Sequence, residues 1–310
     1  MTWHARPVSE QAVAASADLR PPCTVVVPTR DRPAQLARCL ESLRAAMTPT
    51  DELIVVDSAS IDAGVGVAAV EAGAHVVRAQ QPGLGRARNL GWQAATRAVV
   101  AFTDDDCAPA PDWTSAIERA FDDDAVGYAF GQVLAEGPGE RLSTRASVEP
   151  LRVMAGGDPT GVGHGANLSC RRAALESIGG FDNELGAGGR FPAAEDTDAA
   201  WRLSLAGWAG IFDPASVVWH RGWRNRSDAL RVMYRYGVGA GAAAAKPAPV
   251  GDRLRVRREV WDEGFRMAWR HARSRYEFGV AGAALRGVGA AIGATRARTL
   301  RLDESGRFIT

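Results

Sequence analysis

Val99-Val100-Ala101-Phe102-Thr103-Asp104-Asp105-Asp106-Cys107 is the stretch that decides the fold. An apolar, β-branched run that ends abruptly in three carboxylates reads as a buried strand whose carboxyl end meets solvent or a ligand. On an extended backbone Asp104 and Asp106 lean to one side and Asp105 to the other. Two carboxylates aligned in this way suit a hard divalent cation, which takes oxygen ligands and can share them with diphosphate oxygens. A solvated acidic turn that caps the next element is the alternative these nine residues leave open.

Upstream, the same kind of run recurs at Cys23–Val27, Leu53–Val56 and His75–Val77. Between the runs, Leu36, Leu40 and Leu43 fall at helical spacing, Ala68–Ala72 suggests a short helix, and Gly83–Asn89 leads into another that reaches Thr96. Strand and helix alternate, so the class is α/β, with an open, mostly parallel central sheet carrying helices on both faces. Ligands of such sheets bind outside the carboxyl ends of the strands. Pro28-Thr29, Asp57 and Asp104–Asp106 are expected to converge there.

Downstream, Trp113–Phe121 reads as a helix and Val126–Leu134 as a strand element. Residues 137–164 are rich in Gly, Pro and polar side chains; a short strand at 165–170 and a helix from Arg172 to Ile178 follow. Gly186–Gly189 reads as a mobile loop, Glu195, Asp196 and Asp198 stand at a helix start, and Ser216–His220 makes a last strand. The division expected is an irregular arm over 1–21, a catalytic domain over 22–223 and a helical region over 224–310. In that last region Arg253–Arg275 is a basic helical stretch diluted by Glu259, Asp262 and Glu263. Packing on the sheet domain is the favoured role, and peripheral contact with anionic lipid headgroups through the C-terminal helices is the rival.

A net charge of +1 supplies no global field for nucleic acid or membrane. The 4 cysteines, Cys23, Cys39, Cys107 and Cys170, lie far apart without a C-x-x-C pair, so reduced thiols in a cytoplasmic protein are expected. The first 22 residues contain no apolar signal core, and the most apolar late stretch, 278–295, is Gly-rich and interrupted by Arg286. Gly83-x-Gly85 with Gly91 misses the dinucleotide spacing, and no phosphate-cradling G-x-x-x-x-G-K-[ST] occurs.

Each remaining candidate has an ordinary reading beside the functional one. Arg88 can orient acids or phosphates, or be a plain helix arginine. Asp57 can accept from a base or ribose, or form a turn. Glu195 and Asp196 can be chemical groups, or offset the dipole of their helix. His220 can be a metal ligand or a structural histidine.

Their order along the chain is more specific than any one of them. Val-Pro-Thr-Arg-x-Arg at 27–32, Val-Val-Asp-x-x-Ser at 55–60 and Gly-x-Ala-Arg-Asn-x-Gly at 85–91 precede the Asp-x-Asp of 104–106. Gly-x-Asn at 165–167, Gly-Gly-Phe-Asp at 179–182, Glu-Asp-x-Asp at 195–198 with Arg202-Leu203, and His220 follow. The series, covering about residues 23–222, resembles the family 2 glycosyltransferases of the GT-A fold, a Rossmann-like sandwich.

The resemblance implies an inverting, metal-dependent, hexosyltransferase-type enzyme that moves a sugar from a nucleotide-diphosphate sugar, UDP- or dTDP-linked, to an acceptor hydroxyl on a glycan, a lipid-linked carrier or a small molecule. Pro28, Thr29 and Asp57, with Arg30 and Arg32, would hold the base and ribose, Arg88 would support the diphosphate side, and Asp105 would orient the ribose. Asp104, Asp106 and His220 would hold Mn2+ or Mg2+, with Asp106 the direct ligand. Asp196, beside Glu195, would be the general base. Asp57-Ser58-Ala59-Ser60 departs from the family's pattern, in which many relatives carry two acids and a glycine. A sugar-phosphate nucleotidyltransferase is a rival, but it should open with a Gly-rich phosphate loop and residues 23–63 contain no glycine. A non-catalytic nucleotide-sugar-binding protein is the other rival.

Overall fold

The computed structural model describes residues 22–136, 144–221, 226–246 and 279–309. The expected arm over 1–21, part of the 137–164 loop, the boundary near Trp223 and the basic stretch 253–275 lie outside the described residues. Strands β1 (Cys23–Thr29), β2 (Glu52–Asp57), β3 (His75–Arg78) and β4 (Val99–Phe102) form a parallel block in the order β3-β2-β1-β4. Every residue of β1 and of β4 is buried, as a strand covered on both faces requires.

The sheet continues through β8 (Leu168–Arg171), antiparallel to β4, to β6 (Val126–Glu136) and β9 (Ala209–Arg221). β6 and β9 run parallel, while β5 (Cys107–Pro109) and β7 (Leu151–Val153) pair antiparallel with β9. Register decides where the site forms. Thr29 pairs with Asp57 at the carboxyl ends of β1 and β2, and Cys107 pairs with His220.

One face of the sheet is covered by α1 (Pro33–Ala46), α2 (Gly64–Glu71) and α4 (Trp113–Ala120), whose Leu36, Leu40, Val65, Trp113 and Ile117 share a core with Val25 and Val27. α1 begins with Pro33, which needs no backbone partner in a first turn. The other face carries α3 (Leu84–Ala94), α5 (Arg172–Ser177) and α6 (Glu195–Leu205), through Trp92, Leu175 and Leu203 against Val26 and Phe102. The four cysteines are free and buried.

α7 (Arg226–Ala245) and α8 (Gly279–Ala297) pair almost backbone to backbone. A Cβ at Gly237 would fall 2.1 Å from the Arg286 carbonyl oxygen, and one at Gly241 2.0 Å from that of Ala290. Only glycine allows that approach, which accounts for the Gly/Ala richness of both helices. A third apolar cluster joins Val238, Ala242 and Ala297 of this pair to Leu185 and Phe191. Among the described residues no helix is long and apolar enough to cross a membrane.

The end of the chain is not wholly helical as expected. β10 (Arg301–Leu302) and β11 (Phe308–Ile309) form a small hairpin. Asp303 organises its turn, accepting from the backbone N–H groups of Ser305 (3.0 Å) and Arg307 (2.9 Å).

Candidate active site

β4 stops at Phe102 and the chain leaves the sheet, with the Cys107 N–H donating to the Asp104 carbonyl at 3.1 Å to close a turn. The strict alternation expected of Asp104–Asp106 therefore fails, because it needs an extended backbone. Asp105 and Asp106 instead share one cation: Arg32 Nη1 lies 3.1 Å from Asp105 Oδ1 and 3.5 Å from Asp106 Oδ2. Asp105 also accepts from the Thr29 hydroxyl at 2.7 Å, which ties the acid turn to the end of β1. Burial, resisted by the neighbouring Arg32 guanidinium, pushes the Asp105 carboxyl up to about 6. Asp106 Oδ1 stands 3.4 Å from His220 Nε2, a meeting set by the β5–β9 register. Asp104 faces elsewhere, 3.4 Å from Arg88 Nη2.

The second acidic group stands at the start of α6. Ala194 holds a positive φ of 70° just ahead of it, a strained conformation for a residue with a Cβ. Glu195 is buried against Arg88, Oε1 to Nη1 at 2.6 Å. Burial pushes the Glu195 carboxyl up to about 7 even against the pull of that guanidinium. Asp196 is held differently, by backbone amides: Gly165 N–H donates to Oδ2 and Thr197 N–H to Oδ1, each at 2.7 Å. Gly165 must be glycine for this, since a Cβ there would sit 2.8 Å from Arg88 Nη2 and 2.9 Å from Asp196 Oδ2. Two residues on, the Asn167 side chain accepts from Trp113 Nε1 (2.9 Å) and donates to the Gln132 (2.9 Å) and Ser216 (3.1 Å) carbonyls, which fixes the Gly165 segment to the sheet.

Pro28, Thr29, Arg30, Arg32, Arg88, Asp104, Asp105, Asp106, Glu195, Asp196 and His220 all border one cleft of about 520 Å³. Asp57 does not. Its carboxylate is taken by Arg78 Nη1 at 2.6 Å and by the Ser60 N–H at 2.8 Å, and its neighbour Ser58 borders the cleft instead. Arg88, expected toward a diphosphate, is fully buried and spends its Nη groups on Glu195, Asp104 and the Gly165 carbonyl at 3.0 Å. It joins the two acidic groups.

Gly186–Gly189, expected as a mobile loop, borders the cleft through Ala187 and Gly188 and is tied down by backbone bonds. Leu84 N–H donates to the Ala187 carbonyl and Gly186 N–H to that of Phe191, at 2.8 and 2.9 Å.

Sequence reasoning missed His164 and the contribution of the C-terminal helices, Arg235 and Tyr236 from α7 and Arg286 from α8, all of which line the cleft. A faint signal exists: Val232, Arg235, Tyr236 and Ala240 recur at helical spacing.

The donor set can be tested against a divalent ion. Asp106 and His220 offer a carboxylate and an imidazole 3.4 Å apart, groups suited to Mn2+ and to the few protein ligands Mg2+ keeps when phosphates complete its shell. Asp104, turned to Arg88, does not gather with them. Among the described residues the three-ligand group within 4.8 Å is Cys23, Asp51 and Glu118, at the amino end of β1 and away from the cleft. There Asp51 is occupied by the Cys23 and Thr48 amides, at 3.0 and 2.7 Å.

A mixed α/β sandwich of this kind, with a cleft at the strand ends, has the GT-A architecture, and comparison with known proteins agrees. The profile of Glycosyl transferase family 2 matches residues 24–179, half of the chain, and the protein belongs to that family. It is 28% identical over 240 residues to a pre-mycofactocin glycosyltransferase of Mycobacterium tuberculosis, covering 72% of this chain and 47% of that one. It is 26% identical over 193 residues to the glycosyltransferase AglE of Haloferax volcanii, covering 59% of this chain and 64% of that one. The chain thus spans about half to two thirds of the length of these curated relatives. In three dimensions it resembles the mannosyltransferase PcManGT of Pyrobaculum calidifontis, determined with GDP-Man and Mn2+, at a TM-score of 0.61 and 23% identity over 91% of this chain and 84% of that one.

Proposed function

We propose that the protein transfers a sugar from a nucleotide-diphosphate sugar to an acceptor hydroxyl with inversion, assisted by a divalent cation. The observation that carries this is the unequal treatment of the acids around one cleft. Asp105, Asp106 and Glu195 are each held by an arginine, while Asp196 is held by amide N–H groups and has no arginine or lysine within ion-pair distance among the described residues.

Asp196 is thus a carboxylate oriented by hydrogen bonds, placed to accept the proton of a hydroxyl as its oxygen attacks the anomeric carbon. Glu195 is the anchor that keeps the helix start in place through Arg88. One base and one direct displacement invert the anomeric centre, and the cleft contributes by holding both partners in line. Asp106 and His220 would hold the ion, with Asp104 as an outer group. When bound, the ion neutralises charge on the departing nucleoside diphosphate. Thr29, Arg30 and Arg32 at the end of β1 would border the nucleoside, and Ser58 replaces Asp57 on that side. The donor proposed from the resemblance is a UDP- or dTDP-sugar; the neighbour's GDP-Man makes guanosine donors part of any test.

That test is the release of nucleoside diphosphate from a panel of UDP-, dTDP- and GDP-sugars, with Mn2+, Mg2+ or EDTA, in the presence of hydroxyl acceptors. Metal-dependent release from one donor class is expected. Binding of a nucleotide sugar without release under any condition would leave a binding protein of the same fold.

A further inference from the structure

One wall of the cleft comes from outside the segment matched by the family profile, which ends at residue 179. Val232, Arg235, Tyr236 and Ala240 place one face of α7 on the cleft, and Arg286 extends that wall from α8. The wall is anchored close to Asp196. A Cβ at Gly239 would fall 2.4 Å from the Ala193 carbonyl oxygen, so α7 leans on the segment three residues ahead of Asp196. Arg235 and Tyr236 stand about one turn earlier on the helix, roughly 5 Å along its axis. Arg286 is their neighbour, because its own carbonyl oxygen packs on Gly237.

One charge of this wall, that of Arg235, differs from those of the rest of the cleft. Arg32 is committed to Asp105 and Asp106, and Arg88 to Glu195 and Asp104. Arg235 is exposed, with no carboxylate in ion-pair distance among the described residues. A nucleoside diphosphate that arrives with a divalent ion brings little net charge, so cations beside the proposed base are matched by an anion on the other substrate. A guanidinium presents a planar fork that fits a phosphate or carboxylate.

We infer that the hydroxyl acceptor carries an oxyanion, a phosphate or carboxylate, which Arg235 and Arg286 bind beside Asp196. The inference rests on the glycosyl-transfer reading above and narrows its acceptor class. An element beyond the segment matched by the family profile is a fitting place for acceptor choice, since function varies by what a scaffold carries around its site.

The test uses the full chain saturated with Mn2+ and whichever of UDP, dTDP or GDP it binds. Glycerol 1-phosphate, glycerate and glycerol are titrated by calorimetry, and vesicles of phosphatidylcholine with or without phosphatidylglycerol by co-sedimentation. At least one oxyanion is expected to bind ten times or more tightly than glycerol, and Arg235→Gln or Arg286→Gln to weaken it at least tenfold while nucleotide affinity changes less than twofold. Arg235→Lys, which keeps the charge and loses the fork, should fall between. A preference for the free compounds assigns a soluble acceptor. Binding only to phosphatidylglycerol vesicles, lost in Arg235→Gln, assigns a lipid headgroup. Equal binding of glycerol and the oxyanions overturns the inference and leaves the donor reading standing. So does a parallel loss of nucleotide affinity in Arg235→Gln, which would hand these arginines to the diphosphate. Failure of all three nucleotides to bind with metal overturns both.

Discussion

The acid turn 104–106 and the helix start 195–198 each crowd three carboxylates into a few residues, yet they are stabilised by opposite means. In the turn, side chains do the work: Arg32 bridges Asp105 and Asp106, and His220 faces Asp106. At the helix start the three acids are separated. Glu195 goes to Arg88, Asp198 to Lys246 (2.6 Å) and Arg202 (2.9 Å), and Asp196 is left to backbone amides. On the reading proposed above, the turn would take a cation and Asp196 a proton.

The largest effect is expected where that distinction is sharpest. Asp196→Asn keeps one of the two backbone hydrogen bonds, since its NH2 cannot accept the other, and should lower transfer by about 10²- to 10⁴-fold, the usual worth of a positioned base. Metal-dependent nucleotide binding by calorimetry should be unchanged. Unimpaired transfer by this variant would end the assignment of Asp196 as base. The complementary variants, Asp106→Asn and His220→Ala, should act on the other side, weakening Mn2+-dependent nucleotide binding by at least the roughly 10- to 100-fold that even outer groups of metal sites contribute. Nucleotide affinity that is equal with and without EDTA in all three proteins would remove the ion from the turn.

How much of this the sequence could tell depended on the range of the interactions. β1, β2 and β4 are legible because strands buried on both faces are apolar without interruption, a local property. So were the positions of the acids, which end such runs. The fate of each acid was not legible. Arg88 meets Glu195 across 107 positions, and nothing near either residue distinguishes a buried bridge from a surface arginine and a helix cap. Asp57 was misplaced for the same reason, its partner Arg78 lying on the next strand. The alternation expected of Asp104–Asp106 failed because the strand ended earlier than its composition suggested. The cleft wall of α7 and α8 was hidden in a Gly/Ala pattern whose meaning, close helix pairing, appears only when both helices are seen together. Two-residue strands such as β10 and β11 are too short to show any period.

Arg88 is the physical link between the two acidic groups, and its removal is the next test in order of size. Arg88→Met keeps the length of the side chain but leaves Glu195 buried without its cation. Breaking a buried pair in this way costs about 3–5 kcal/mol. The double variant Arg88→Met with Glu195→Gln should recover part of that loss in urea unfolding. If the single and double variants unfold alike, the pair is not coupled and the two groups are independent.

The smallest expected effect is on pH dependence, and within one helical turn it has two signs. Burial raises the Glu195 carboxyl from 4.5 to about 7. A group raised on folding adds stability below its unfolded value, and that contribution is lost as pH rises through about 7. Burial acts to raise Asp198 as well, but Lys246 and Arg202 outweigh it and hold the carboxyl below 3.8. Its contribution is complete above that value and is lost as pH falls below it. Without metal or nucleotide, the Tm should therefore pass through a maximum near pH 4, between the unfolded values of 3.8 and 4.5, and fall by a few degrees toward pH 7. Glu195→Gln should flatten the fall on the alkaline side and leave the acid side, while Asp198→Asn should do the reverse. A single variant that flattens both limbs would mean that the acids of this turn titrate as one unit, and the contrast drawn between them and the acid turn would have to be made for the whole helix start.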